Sequence, residues 1–285
     1  MAVVLMQYGH PRKHFSRLAN HLLSETGIIG SAPSDAQTVA ELSADDDLLI
    51  PMSSRALTAS MHSVRCRVSL IMIEPPAIQM RYYRMMPFLG RHYHKVFTYS
   101  RELQRRLRNA VHLPHGGTSI SPLPKAAAKT RLVSMIASKK QVTPGHRLRH
   151  QVADWAKASG FPLELFGRGF CPVDSVETAL SPFHFSVVIE NSQFPNYFSE
   201  KLIDCLLCRT IPIYWGDPNI ASQFNPAGII ECQTEADLCR SLAECTPESY
   251  EALREAIEEN AAIAKELAVS PMQRAAKYLM DQPSG

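Results

Sequence analysis

At 285 residues and 45% hydrophobic content, the chain can bury one large core or two modest ones, and two α/β halves fit that length. Its 30 basic and 27 acidic residues leave a net charge of +3, which gives no case for nucleic acid as the main partner. Seven cysteines, an odd number without a framework of spacings, fit free thiols in a reducing compartment, and no apolar run reaches the length of a membrane span.

Ala2 to Met6 reads as a first strand, because the apolar stretch ends too soon at Tyr8-Gly9-His10 for a signal peptide. Pro11 to Ser24 follows as a helix with Phe15, Leu18, Leu22 and Leu23 inward, then a short helix over Asp35 to Glu41. Asp45-Asp46-Asp47 precedes the strand Leu48 to Pro51. An Asp-x-Asp pair can hold a divalent ion against a diphosphate, but this triplet sits before its strand and not at the carboxyl end, where parallel sheets bind ligands. A solvated acidic turn is expected there.

Val68 to Ile73 is a buried strand ending at Glu74-Pro75-Pro76, and the prolines turn the chain there. Glu74 thus stands at the mouth of the sheet, as a base for chemistry or as a cap on the neighbouring loop. Met80 to Tyr93 is basic and aromatic, expected as a loop and helix beside a cleft. Val96 to Tyr99 is a strand, Arg101 to Arg108 a basic helix with a solvated face, and His115 a loop histidine expected to be structural. Ser119 to Thr130, rich in proline and alanine, is the candidate linker, with a domain boundary near residue 125. Leu132 to Ala137 opens the second half as a strand. A polar loop, Lys139 to Gly145, leads to a helix from His146 carrying Arg147, Arg149, Val152 and Trp155. Leu163 to Phe166 is a strand closed by Gly167-Arg168-Gly169.

The most informative stretch is Phe183 to Asp217. Phe185 to Ile189 is a buried strand, Glu190-Asn191-Ser192 ends it with polar groups, and Ser199 caps a helix whose Leu202, Ile203, Leu206 and Leu207 share a face. Ile211 to Trp215 is a second strand, closed by Gly216-Asp217-Pro218. Cys205 and Cys208 lie inside the helix without a second pair at metal spacing, so they are expected to pack. Beyond it, short elements at Pro218 to Phe224 and Ile229-Ile230 precede helices over Glu235 to Ala243, Pro247 to Leu267 and Pro271 to Met280.

Glu190-Asn191-Ser192, then Tyr197-x-Ser199-Glu200-Lys201, then Ile211-Pro212-Ile213 with Gly216, resembles the signature of the glycosyltransferase family 10 α-1,3/1,4-fucosyltransferases. The resemblance implies the α/β GT-B architecture, two Rossmann-like domains facing across a cleft. An acceptor-side domain would span 1–125 and a nucleotide-sugar domain 126–270, with the helix from 271 to 285 crossing back to the first. It implies a GDP-fucose donor, no cofactor and no metal site. Glu74 is then the general base, and Arg147 holds the donor diphosphate, although the register leaves Arg149 open. Lys201 meets the charge of departing GDP, Asn191 and Glu200 bond ribose or sugar hydroxyls, and Tyr197 packs on the donor. Glu190 contacts the donor or anchors the strand end.

The implied reaction inverts GDP-β-L-fucose to an α-linked product on an oligosaccharide or glycolipid acceptor, N-acetylglucosamine or glucose in a bacterial surface glycan or lipopolysaccharide. A different nucleotide sugar, or a catalytically inactive binding module, remain the alternatives. The Golgi anchor of animal and plant relatives and the basic heptad tail of some bacterial ones are not seen. A cytoplasmic enzyme is expected, with at most peripheral contact at the inner membrane face through Arg101 to Arg108.

Overall fold

Short branched apolar runs alternating with helical periodicity dictate parallel sheets covered by helices, and each half of the chain builds one. A computed structural model describes residues 2–6, 23, 27–30, 36–53, 56 and 64–282. The helix expected over Pro11 to Ser24 lies outside the described residues, apart from Leu23. The chain divides into a first unit, Met1–Pro114 with Pro271–Gly285, and a second, His115–Ser270.

The first unit holds β1 (Ala2–Leu5), β2 (Gly27–Gly30), β3 (Asp47–Pro51), β4 (Arg67–Met72), β5 (Val96–Thr98) and β6 (Ala110–His112). They form a six-stranded sheet in the order β2-β1-β3-β4-β5-β6, parallel except at β1–β2. Alternation along the strands loads both faces. Val4, Leu48, Ile50, Leu70 and Met72 meet Tyr82 and Met86 of α1 (Pro76–Leu89) and Leu103 of α2 (Arg101–Arg106). Val3, Leu49, Ile71 and Phe97 meet Ala275, Ala276 and Leu279 of the C-terminal helix.

The acidic triplet departs from expectation. Asp45 is exposed, but Asp46 and Asp47 are buried. Asp46 accepts from Ala2 N at 2.7 Å and from Ser43 N and Oγ at 2.9 and 2.8 Å. Asp47 accepts from Ser69 Oγ at 3.0 Å and lies 2.6 Å from His94 Nδ1. These carboxylates tie together the amino ends of the strands, where backbone donors of the entering loops need acceptors.

The second unit runs β7 (Arg131–Ile136), α3 (Pro144–Ser159), β8 (Glu164–Phe166), β9 (Phe183–Ile189), α4 (Glu200–Leu207), β10 (Ile211–Trp215), β11 (Ile230–Glu231), α5 (Glu235–Ala243), α6 (Pro247–Glu251) and α7 (Arg254–Leu267); α8 (Pro271–Met280) belongs to the first. Its five strands are all parallel, in the order β11-β10-β9-β7-β8. The chain leaves β7 towards β8 and returns on the other side as β9, so the topological switch point lies between β7 and β9.

The helix expected over Pro247 to Leu267 is two. Tyr250 of α6 packs edge-on against His184 and Phe185, and its hydroxyl donates to Arg209 O at 2.8 Å. Ala264 of α7 instead packs with the α4 cluster. Two burial directions require a break, which falls at Ala252-Leu253. The stretch expected as a linker, Ser119 to Thr130, is likewise tied down just before and at its start. Gly116 bridges Ser199, Gly117 N donates to Leu267 O at 2.8 Å, and Ile120 is buried against α4. Residues 115–125 therefore group with the second unit and not the first. All seven cysteines are free, and among the described residues no helix is long and apolar enough to cross a membrane.

Candidate active site

The carboxyl ends of β7 and β9 part at the switch point and leave a cavity of about 760 Å³, within the size range of small-molecule sites. Lys139, Lys140, Arg149, Arg168 and Lys201 line it, against Asp174, Glu200 and Asp204. Such a surplus of cations suits an anionic ligand that also carries hydroxyl groups.

The first turn of α3 forms one wall. Thr143 is its N-cap and accepts from His146 N at 3.2 Å, while Thr143 N donates to His146 Nδ1 at 3.3 Å, and Pro144 occupies the first turn. Gly145 has no room for a side chain, since a Cβ there would lie 1.7 Å from Glu190 O. Gly145 N donates to Asn191 O at 3.1 Å, so the helix start is pressed onto the end of β9. The Gly145, His146 and Arg147 N–H groups all have acceptors within the protein, so this wall presents an anion with the positive end of the helix dipole and not with open N–H groups. Burial, helped by Arg149, Lys140 and Lys201, pushes the His146 imidazole down to about 4, so it is neutral at pH 7.

Arg149, not Arg147, reaches this cavity. Arg149 is buried, its Nε donates to Ile189 O at 3.0 Å, and its Nη2 donates to the same oxygen and to Asn191 Oδ1 at 3.4 Å. Arg147 is exposed, donates from Nη1 to Gln141 O and Val142 O at 3.3 and 3.4 Å, and is not part of the lining. Two residues along a helix turn a side chain by about 200°, which separates the pair.

Glu190 is fully buried behind the cavity. Its carboxylate accepts from Ser199 N at 2.8 Å and from Ser199 Oγ at 2.9 and 2.7 Å, and Lys201 Nζ stands 3.6 Å away. Ser199 is the N-cap of α4, so Glu190 anchors the helix that carries Glu200 and Lys201 and lies off the cavity lining. Tyr197 is also buried, edge-on to His115 with ring centroids 5.6 Å apart, and is not in the lining. Of the donor-site residues expected, the cavity brings together Asn191, Glu200 and Lys201. Lys201 Nζ donates to Glu200 Oε1 at 3.1 Å and to Ser199 Oγ at 2.9 Å. Burial raises the Glu200 carboxyl, but the charge and hydrogen bond of Lys201 together with His115 outweigh it and hold it below the usual range. Burial lowers Lys201, and Glu190 and Glu200 together lift it above its usual value. Both are therefore ionised at neutral pH.

Asp204, four residues after Glu200 on α4, was not anticipated from sequence. It is buried and accepts from Thr118 Oγ1 and from Ser119 N at 3.1 and 3.3 Å, which holds Ser119 in the cavity wall. Burial, partly offset by these hydrogen bonds, raises its carboxyl to about 6. The lining residues His146, Lys139, Lys140 and Arg168 were also missed as site residues; their only sequence signal was basic character in the loops that follow strands and, for His146, at the start of the helix after one. Glu74 belongs to the first unit. It follows β4, half-buried, and its backbone oxygen accepts from Tyr83 and Tyr99 hydroxyls at 3.1 and 3.4 Å, which fixes its place at the strand end. Cys205 and Cys208 are buried in the α4 cluster, where Cys205 Sγ donates to Thr210 O at 3.2 Å.

Residues 126–244 match the family described as glycosyltransferase family 10 (fucosyltransferase) C-term. The chain is 45% identical over 51 residues to an alpha-(1,3)-fucosyltransferase of Helicobacter pylori, a match covering 18% of this chain and 11% of that protein. It is 42% identical over 45 residues to a putative fucosyltransferase of Acanthamoeba polyphaga mimivirus, covering 16% and 8%. Both matches thus span a small part of the curated relatives. In fold it is similar to an alpha1,3-fucosyltransferase solved with GDP, at TM-score 0.52 and 15% identity over 91% of this chain and 81% of that one. A UDP-forming alpha,alpha-trehalose-phosphate synthase from Burkholderia vietnamiensis gives TM-score 0.60 at 10% identity, over 85% and 73%. The fold is that of GT-B glycosyltransferases.

Proposed function

We propose that this chain, a family 10 glycosyltransferase by its residues 126–244, moves fucose from GDP-β-L-fucose to a glycan hydroxyl with inversion. The observation that carries this reading is the cation-lined cavity at the β7/β9 switch point, whose wall is built from the Asn191 and Glu200-Lys201 segments of the family signature. The fucosyltransferase names of the sequence relatives support the donor.

Arg149 and Lys201 hold the diphosphate, with Lys139, Lys140 and Arg168 adding positive field. The charged side chains meet the negative charge that grows as GDP departs, usually the largest catalytic term. Because the chain supplies these cations, the reading requires no divalent ion. Asn191 and Glu200 bond donor hydroxyls, while Glu190 and Ser199 hold the helix start behind them. Glu74 takes the proton of the acceptor hydroxyl. The oxygen attacks the anomeric carbon, the bond to the β-phosphate oxygen breaks, and its electron pair leaves with GDP. One displacement gives an α-linked product. The acceptor is N-acetylglucosamine or glucose in a surface polysaccharide or lipopolysaccharide, modified on the cytoplasmic side.

Labelled GDP-fucose incubated with lactose- and N-acetyllactosamine-type acceptors, with and without EDTA, tests this. Turnover that survives EDTA is expected, with Glu74→Gln lowering kcat by about 10²–10⁴ while GDP affinity holds. Binding of GDP-fucose without turnover on any acceptor would make the chain a sugar-nucleotide binding module. Preference for UDP over GDP would change the donor.

A further inference from the structure

From Pro75 to Arg101 the sequence contains no aspartate or glutamate, and it contains Arg81, Arg84, Arg91, Lys95 and Arg101. Most of this acid-free stretch is α1, which has two faces. Tyr82 and Met86 are buried against the first sheet. A kink at Gln79, at φ −124° and ψ 29°, sets the first turn apart. Beyond it, Met80, Arg84 and Phe88 stand four residues apart and point the same way, with Arg81 and Met85 beside them. This outward face exposes Phe88 at 72%, Met80 at 47% and Met85 at 40%, with Ile78 at 47% just before the kink.

Isolated exposed apolar residues need no explanation. A run of them on one helix face, interleaved only with arginines, does. The Arg81 guanidinium lies 4.5 Å from the Tyr82 ring centroid, so its charge is held close to the helix beside Met85. A neutral protein partner would leave these arginines desolvated and unpaired. A bilayer interface accepts both halves of the pattern, because apolar side chains enter the acyl boundary while guanidinium groups meet lipid phosphates. The basic α2 packs on the same side of the sheet and adds Arg105 to the field, with Arg108 just beyond its end.

We infer that the outward face of α1 is a docking surface for an anionic lipid bilayer, with Phe88, Met85 and Met80 inserting and Arg81 and Arg84 meeting phosphate headgroups. This places the membrane contact on α1 and not on the α2 face expected from sequence. It is independent of which sugar nucleotide fills the second unit.

Co-sedimentation of the full chain with two vesicle preparations tests it, one of phosphatidylcholine and one containing phosphatidylglycerol. Binding to the anionic vesicles is expected, weaker by an order of magnitude or more on phosphatidylcholine and reduced by high salt, since arginines are drawn to an anionic surface by a field that salt screens. Phe88→Ser should weaken binding about tenfold, because it removes the most exposed apolar side chain of the inserted face. Met85→Gln is the second variant if Phe88→Ser lowers the melting temperature. Arg84→Glu should reduce binding while Arg105→Glu has a smaller effect. Failure to sediment with anionic vesicles at low salt would overturn the proposal. So would binding that both α1 variants leave intact, or self-association of the chain that Phe88→Ser abolishes while vesicles bind nothing.

Discussion

Arg149 and Arg147 differ by two positions and by opposite surroundings, one buried in the cavity wall and the other exposed. Replacing Arg149 with alanine removes the guanidinium from the cavity wall. GDP affinity should fall roughly 10–100-fold, as a charge-assisted hydrogen bond contributes about 1.5–3 kcal/mol. Arg147→Ala should leave affinity within about twofold, because an exposed side chain outside the lining makes a small difference. The clue was present in sequence. Leu148, Val152 and Ala156 mark the inward stripe of α3, and Arg149 lies beside it with Val152 and Ala153 one turn on. The resemblance implies the neighbouring Arg147, which the same periodicity places off that stripe.

Two titrating groups face the cavity with opposite signs. His146 is pushed down to about 4, so its contribution to stability is present at neutral pH and is lost as pH falls below its ordinary value near 6.5. Asp204 is raised to about 6, so it favours the fold at low pH and costs stability as pH rises from its ordinary 3.8 through about 6. In the wild type the two largely offset each other between these limits. Urea unfolding at several pH values should therefore show, relative to wild type, stability falling with pH in His146→Gln and rising with pH in Asp204→Asn. Parallel curves for all three proteins would refute the assignment. Burial of one carboxylate among apolar α4 residues could not be read from spacing, because it depends on Thr118 and Ser119 arriving from a distant segment.

At the scale of elements, the strands were legible because alternate residues feed two different cores in each sheet. Helix ends were less so. The break at Ala252-Leu253 contains neither glycine nor proline and exists only because Tyr250 and Ala264 are buried in different places. The signature residues proved to be of two kinds, those that line the cavity and those that hold it. Glu190 binds the Ser199 cap, and Gly216 leaves space for the Tyr214 hydroxyl, 2.3 Å from where a Cβ would stand. The α3 junction is the tightest of these joints. Gly145→Ala would drive a methyl group into Glu190 O and push the helix start off β9. Overpacking of this kind costs about 1–3 kcal/mol. We expect a lower melting temperature together with weaker GDP binding, whereas Gly160→Ala, away from the cavity, should leave binding unchanged. Equal loss of GDP binding in the two variants would show that the α3–β9 contact has no special role.

At the scale of the molecule, the return of α8 to the first unit is set by its apolar face. Ala275, Ala276 and Leu279 cover Val3, Leu49, Ile71 and Phe97, and Tyr278 stacks edge-on with Phe97 at 5.5 Å. Leu279→Ala should destabilise the first unit by about 2–5 kcal/mol, seen as a lowered first transition in a thermal melt. GDP binding by the second unit should persist, and a single unshifted transition would contradict the division. Two α/β halves were legible from length and pattern. The place of residues 115–125 was not, because bonds from Gly116, Gly117 and Ser119 to the second unit lie behind a composition that reads as linker.

The most direct measurement is a calorimetric titration of the full chain with GDP-fucose and with UDP-galactose, in EDTA, repeated for Arg149→Ala and Lys201→Ala. Binding of GDP-fucose alone, surviving the chelator and lost in both variants, is the predicted result. Equal affinity for the two nucleotide sugars, or binding that neither substitution weakens, would contradict the assignment of the β7/β9 cavity as a GDP-fucose site.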